Sequence, residues 1–521
     1  MRHGEADVLF VDVPHDFACP RSSWCLGYRC LISALRANGF AARILHPQTG
    51  GDGRARARMI QDIVGAHAGI VGFSTYDVQL PQLLVLIADL RRAGLRSHVT
   101  LGGLCASAIP ELILCHAPGV DSIVFGEGDI TVVDLARRVL RGEGGGRPLP
   151  GIALRGQEGT NTGGPAPPPE LDALAAPILD DFRDPHQSAA LHLVNDCVPV
   201  AGSRGCYGRC TFCCIHKFYR ASGGRLWRPR SAATIVDDIL AVRRTTPYQR
   251  VTFVDENFMG PGPAGRRHAD EVAREIAARA PGTAFNLGCR PNDVDRGTFA
   301  ALKSAGLAGV SLGIESMGNE ALALFNKRTT PQINEAAVQL LEELGIFTEV
   351  TFIFFHPLST LEETRANLAF VERVRRSRYA YFNNAQPFSE LIPFFGTDLT
   401  RSLAERGLVE RTIDGYTVRY ADPRVGLIAR SILGVPVDTL SRLGAMIPND
   451  DNELADVAAD LERAELHLKM VRLPGLAADL CAAFEGGASE SSSGVLAALA
   501  EIRREAATIT LLADRFLAHV A

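Results

Sequence analysis

Lysine is almost missing from this chain: only Lys217, Lys303, Lys327 and Lys469 occur, and arginine supplies the remaining basic residues. That bias reads as high-GC coding, not as function. With 54 Lys+Arg against 59 Asp+Glu, a net charge of −5, there is no cationic excess for a phosphate backbone to attract, so nucleic acid is not favoured as a partner. No stretch reaches the roughly 18 uninterrupted apolar residues of a membrane span. Residues 1–7 are polar and lack the apolar core of a secretory signal. The expectation is a cytoplasmic protein with no membrane partner. The twelve cysteines are then expected as free thiols or metal ligands, not disulfides. A G-x-G-x-x-G fingerprint is also absent: Asp12-Val13-Pro14-His15 follows the first apolar run, which disfavours a nicotinamide site.

The composition that is present, 46% hydrophobic and 22% charged, is that of a globular chain of about two to four domains. In residues 1–141, apolar runs at 8–11, 42–45, 70–74, 99–102 and 123–126 alternate with amphipathic stretches such as 28–38, 80–93 and 130–141. Short strands each preceding a helix predict an α/β, doubly wound, Rossmann-like sheet whose strand-end loops form a ligand crevice. Residues 142–194, rich in glycine and proline, read as a linker with one short strand at 152–155. Across 195–395 the alternation restarts. Strands at 198–203, 251–254, 284–288, 309–314, 348–354 and 382–386 are separated by helices at 232–243, 264–278, 296–305, 332–344 and 361–375. Six such units predict a partial (β/α)6 TIM barrel with one open side. Residues 396–521 lose the strand signal and predict a mostly helical C-terminal domain, with helices at 452–470 and 494–521, that closes the open side and helps select the substrate.

Residues 203–214 read Ser-Arg-Gly-Cys-Tyr-Gly-Arg-Cys-Thr-Phe-Cys-Cys, so Cys206, Cys210 and Cys213 follow a C-x3-C-x2-C spacing. Three thiolates on one short loop after a barrel strand can hold three irons of a cubane 4Fe–4S cluster and leave the fourth iron open. Zinc, the rival, prefers four ligands in paired arms, and no second arm exists here. Cys214 is expected to be a bystander. Cys105, Cys115, Cys197, Cys289 and Cys481, single in apolar context, are expected to be small buried hydrophobes.

This segment resembles the radical S-adenosylmethionine superfamily, which implies that the open iron chelates S-adenosylmethionine. The order of later pieces is similar too. Trp227-Arg228-Pro229-Arg230-Ser231 opens the first barrel helix, and 251–259 reads VTFVDENFM. Gly288-Cys289-Arg290 ends the third strand, and Gly313-Ile314-Glu315-Ser316 is followed by Asn326-Lys327-Arg328. The resemblance implies that Asp255, Arg290 and Glu315 approach bound S-adenosylmethionine. Phe355-His356-Pro357-Leu358 departs from the Gly-x-Pro-Gly of many relatives.

In the first domain, Gly72-Phe73-Ser74-Thr75, Leu101-Gly102-Gly103 and Gly126-Glu127-Gly128-Asp129 each follow a strand. Glycines there let backbone approach a bulky ligand, and small hydroxyls bond its edges. Taken in order, they resemble the cobalamin-binding domain that precedes the barrel in cobalamin-dependent radical enzymes. Leu171-Asp172-Ala173-Leu174 and Asp180-Asp181-Phe182 resemble the junction of that subfamily. The resemblance implies that Ser74, Gly102, Gly103, Gly126, Glu127 and Gly128 meet cobalamin and its nucleotide tail. Thr75, Tyr76 and Asp77 are the candidates beneath the corrin, and Tyr76 alone is large enough to cover cobalt; the alternative is that Tyr76 packs as core against helix 80–93. Pro14 stands where the usual D-x-H-x-x-G supplies an axial histidine, and His15 is one residue late, so cobalamin is expected to bind without a histidine on cobalt. Cys19, Cys25 and Cys30 do not match the spacing of a second cluster; Cys25 and Cys30 are expected to pack or to line the corrin pocket.

What the resemblance implies is a cobalamin-dependent radical methyltransferase. A deoxyadenosyl radical takes a hydrogen from an unactivated carbon, methylcobalamin donates its methyl, and a second S-adenosylmethionine remethylates the reduced cobalt. The alternative keeps both cofactors but performs a rearrangement, ring contraction or cyclisation without methyl transfer. The helical tail argues against a methylthiotransferase, and the intact cysteine triad against a cobalamin sensor. The expected substrate is a small natural-product intermediate, and the expected electron donor a reducing partner such as flavodoxin or ferredoxin.

Overall fold

The computed structural model describes residues 6–13, 26–47, 53–156, 159–180, 197–246, 248–382, 386–434, 464–489 and 492–520. Its first unit is a seven-stranded sheet, ordered β2-β1-β3-β4-β5-β6-β7. These strands are β1 (Val8–Val11), β2 (Ala42–Leu45), β3 (Ile70–Ser74), β4 (His98–Gly102), β5 (Ser122–Val124), β6 (Ile152–Gly156) and β7 (Gly159–Thr162). The first five run parallel. Alternation decides the two faces. Leu9, Val11, Val71 and Phe73 pack with Leu83, Leu86 and Leu90 of helix Leu80–Arg92. Val8, Phe10 and Ile70 pack with Ile32 and Leu35 of helix Leu26–Ala37 and with Val132 and Ala136 of helix Gly128–Arg141. The sheet is therefore doubly wound, as the sequence predicts.

The segment read as a linker is partly sheet. β6 pairs antiparallel with β5 and β7 with β6, so residues 152–162 extend the first sheet. The strand expected at 152–155 is β6; its partner β7 was hidden by the glycine and proline density around it, which an edge strand tolerates.

The second unit is a six-stranded parallel sheet in consecutive order, the partial barrel. It comprises β8 (Cys197–Val200), β11 (Arg250–Phe253), β12 (Ala284–Cys289), β13 (Leu307–Glu315), β14 (Phe347–Phe352) and β15 (Ala380–Phe382). The strand expected over 198–203 is broken. The chain leaves β8 at Val200 and resumes as β9 (Ser203–Gly205), antiparallel to β10 (Trp227–Pro229). The break is fixed from the next strand's end: Asp255 accepts from the Gly202 N–H at 2.9 Å and the Ser203 hydroxyl at 2.5 Å. Ser231 then caps helix Ala232–Thr245, its hydroxyl accepting from the Thr234 N–H.

The C-terminal region is mostly helical, with Asp398–Glu405, Pro423–Leu433, Leu473–Glu485 and Ser493–Val520. It also holds a hairpin, Val409–Thr412 with Gly415–Val418, that the sequence reading lacked. Ile428, Leu476 and Leu480 join one continuous core with Phe354, Phe388 and the barrel strands. Of the helix expected over 452–470, residues 452–463 lie outside the described residues. No helix among the described residues is long and apolar enough to cross a membrane.

Candidate functional site

The strand ends of the first sheet face the open end of the barrel, and charge holds the two together. From β9, Arg204 donates to Asp129 at 2.6 and 3.0 Å and to Glu127 at 2.8 Å. Arg228 of β10 also donates to Glu127. Both carboxylates are buried, at the start of helix Gly128–Arg141, where backbone N–H groups favour negative charge. On the other side Asp77 accepts from the Phe395 N–H at 2.8 Å and from Arg411 of the C-terminal hairpin at 3.2 Å.

Between these clasps lies a cavity of about 1820 Å³. Ordinary small-molecule pockets run to about 300–1,000 Å³, so this one has room for more than one ligand. Ser74, Tyr76, Gly102, Gly103, Gly126, Glu127 and Gly128 line it from the first sheet, and Cys206, Cys210, Cys213, Asp255, Arg290 and Glu315 line it from the barrel. Of the described residues expected to meet the cluster, S-adenosylmethionine or cobalamin, Thr75 and Asp77 do not line this cavity. Thr75 is fully buried; its hydroxyl donates to the Gly102 carbonyl at 2.9 Å and accepts from the Ala106 N–H at 3.0 Å. It fastens the β3 loop to the β4 loop. Gly103 completes that junction at φ +89°, where a Cβ would stand 2.7 Å from Ser74 Oγ. Pro14, His15, Cys19 and Cys25 lie outside the described residues; Cys30 lines the cavity. Cys115, expected to be buried, is exposed on helix Pro110–His116.

The cysteine loop is held from several sides. Thr211 donates through its N–H to the Phe325 carbonyl at 3.0 Å and through its hydroxyl to Leu324 at 2.6 Å. The Asn326 amide donates to the Arg209 carbonyl at 2.8 Å. Glu256 accepts from the Gly205 N–H at 3.0 Å and the Tyr219 hydroxyl at 2.8 Å. The donors aimed at sulfur suit thiolates: Arg290 Nη1 lies 3.1 Å from Cys210 Sγ, and the Gly208 N–H 3.3 Å from Cys206 Sγ. Burial pushes the Cys206 and Cys213 thiols up, so without a cation they stay neutral; a bound metal centre reverses that preference. No group of three His, Cys, Asp or Glu among the described residues is drawn in tightly enough for a single ion. Cys214 does not line the cavity; it leads into helix Ile215–Ala221.

Backbone strain concentrates beside these cysteines. Among the described residues four non-glycines have positive φ, and three of them are here: Glu315 (+68°), Asn326 (+47°) and Arg328 (+56°). Glu315 pairs with Lys327 Nζ at 2.9 Å, both buried, and Arg290 Nη2 donates to the Lys327 carbonyl. Asp255 is spent on Gly202 and Ser203, and burial lifts its carboxyl to about 7. Sequence reasoning missed Glu256, although its motif was in view, and also the Tyr207–Asp293 bond, which joins the cysteine loop to the end of β12. No spacing announces either.

Family models match the chain in two places: the B12 binding domain over residues 25–136 and the Radical SAM superfamily over residues 200–371. The chain thus joins a domain matching the B12 binding domain to one matching the Radical SAM superfamily. Among individual proteins, it is 26% identical over 297 residues to the uncharacterized methyltransferase PH0819 of Pyrococcus horikoshii, covering 56% of this chain and 61% of that one. It is 30% identical over 275 residues to the anaerobic magnesium-protoporphyrin IX monomethyl ester cyclase of Rubrivivax gelatinosus, covering 51% and 47%. The chain thus spans about half the length of the latter and under two thirds of the former. The cobalamin-dependent S-adenosylmethionine radical enzyme OxsB, solved with aqua-cobalamin and S-adenosylmethionine bound, superposes with a TM-score of 0.69 at 19% identity. That match covers 99% of this chain and 80% of OxsB, and it shows a shared fold.

Proposed function

We propose that the protein methylates an unactivated carbon of a small natural-product intermediate. The observation that carries this reading is the single cavity onto which the glycine-rich strand ends of the first sheet and Cys206, Cys210 and Cys213 of the barrel all open. When bound, the cluster and S-adenosylmethionine supply a hydrogen-abstracting radical, and cobalamin supplies the methyl group. The chain's residues position these groups. Cys206, Cys210 and Cys213 hold the cluster; Arg290, 3.1 Å from Cys210 Sγ, offsets its negative charge. Glu315, held by Lys327 at 2.9 Å, presents a fixed carboxylate to S-adenosylmethionine. Gly102, Gly103, Gly126 and Gly128 admit the edge of cobalamin, and Tyr76 covers its lower face. A flavodoxin- or ferredoxin-type protein of the cytoplasm delivers the electron.

A second reading, cyclisation or rearrangement without methyl transfer, is favoured by the likeness to the magnesium-protoporphyrin ester cyclase. Product analysis of the reconstituted protein with a candidate substrate separates the two. Methyl transfer yields S-adenosylhomocysteine together with 5′-deoxyadenosine, whereas the second reading yields deoxyadenosine alone. Formation of neither refutes both.

A further inference from the structure

The lumen of an ordinary (β/α) barrel is filled by layers of bulky branched side chains. Here the outward positions are apolar and buried: Phe285 and Leu287 on β12, Val310 and Leu312 on β13, Val350 and Phe352 on β14. The alternate positions that line the cavity are small or polar at Asn286, Gly288, Ser311, Gly313, Glu349 and Thr351, with the rings of Phe347 and Tyr381 completing the wall near Glu349. They stand side by side across the sheet, Gly288 opposite Ser311, Ser311 opposite Glu349, and Gly313 opposite Thr351. The cavity therefore continues down the barrel below the cysteines as a chamber walled by hydrogen-bonding groups.

Several of the charges that line the cavity are paired. Glu315 is neutralised by Lys327 at 2.9 Å. Lys469 reaches the cavity from the C-terminal region but is paired with Glu465 at 2.6 Å. Arg250 lines the cavity from the start of β11, where it is exposed to solvent. Glu349 brings a carboxylate to the barrel wall below the cysteines, and no cation among the described residues lies within ion-pair distance of it. Burial pushes its carboxyl up, opposed only by a hydrogen bond from Ser311. Such a group demands a donor from whatever fills the space. Its depth suits a substrate. Glu315 lies opposite Phe352, three residues beyond Glu349, which at about 3.3 Å per strand residue puts Glu349 about 10 Å below the cofactor end.

We propose that Glu349 is the substrate-recognition residue of this chamber, and that the substrate is a small hydroxylated molecule bearing a protonated amine. The amine pairs with Glu349, while Asn286, Ser311 and Thr351 take its hydroxyls, leaving the far end of the molecule at the level of Glu315. This rests on the lumen being the substrate chamber of the enzyme proposed above, but not on which reaction follows.

Ligand-observed NMR on the fully reconstituted protein tests it with three matched probes: glucosamine, neutral glucose and anionic glucuronate. Glucosamine should bind the native protein at least about tenfold more tightly than either of the others. Glu349→Gln should abolish that preference, and Glu349→Asp, which keeps the charge, should retain it. Tighter binding of glucuronate, an undiminished glucosamine preference in Glu349→Gln, or no amine-dependent binding to the native protein overturns the proposal. The methyl-transfer products are read separately, so a failure of the proposed reaction is distinguishable from a failure of this assignment.

Discussion

Burial lifts the Asp255 carboxyl to about 7, desolvation outweighing the hydrogen bonds from Ser203 and the Gly202 N–H. In the unfolded chain an aspartate ionises near about 3.9. Between those values the native state holds a proton that the unfolded state has released, so this group's contribution to stability is full at low pH and falls as pH rises through the window. Asp255→Asn should flatten that fall; urea unfolding in steps from about pH 4 to 7.5 checks it, and an unchanged slope would assign the titration to another group. The cysteines permit a sharper prediction. Cys206→Ala, Cys210→Ala or Cys213→Ala should each lose iron and deoxyadenosine formation, whereas Cys214→Ala, outside the cavity, should keep both. Tyr76 is 46% exposed at the cavity and is not packed as core beneath helix Leu80–Arg92. If it covers the corrin's lower face, electron paramagnetic resonance of the cob(II)alamin form should show no axial nitrogen splitting, and Tyr76→Ala should shift the cobalt spectrum without changing stability. At this scale the triad was legible because its chemistry lies in one local spacing. Glu256 and the Tyr207–Asp293 bond were not, since each acts through a partner 37 to 86 residues away.

Among the elements, the barrel strands were legible from period-two alternation beneath long helical repeats, as in β12 through β14. What alternation cannot reveal is which face encloses space. Asn286, Ser311 and Glu349 look like the solvent side of ordinary strands until the sheet curls. The break between β8 and β9 was hidden for a similar reason, because it is imposed by Asp255, 52 residues on from Ser203. β9 also carries Arg204, and here a prediction belongs to the element pair. Arg204 spans both oxygens of Asp129, a fork that lysine cannot reproduce. Arg204→Ala leaves Asp129 buried without its cation, which should cost about 3 kcal/mol. Arg204→Lys should recover less than half of that loss. Thermal unfolding of the two variants beside the native protein measures both.

At the level of the whole molecule, the first sheet, the barrel and the C-terminal hairpin close on one cavity, and charged clasps help to hold it closed. Arg411 stacks on Phe395 with its guanidinium carbon 3.9 Å from the ring centre, and it bonds Asp77, both charges being buried. Asp77 directly follows Tyr76 at the cavity wall. A ligand held by both walls stabilises them as a unit, by about 2.7 kcal/mol at a concentration a hundred times its Kd. Cobalamin-loaded native protein should therefore unfold in one calorimetric transition, raised as a whole relative to the unloaded form. Arg411→Ala leaves the buried Asp77 carboxylate without its cation, with the Phe395 N–H and the Cys105 thiol as donors, and releases the C-terminal clasp. In that variant the transition should split, and added cobalamin should raise only the part belonging to the first sheet. A single, fully shifted transition in Arg411→Ala would mean that the Arg204 and Arg228 clasp couples the domains by itself. The cavity would then be a joint made on the β9 and β10 side, with the hairpin as its cover.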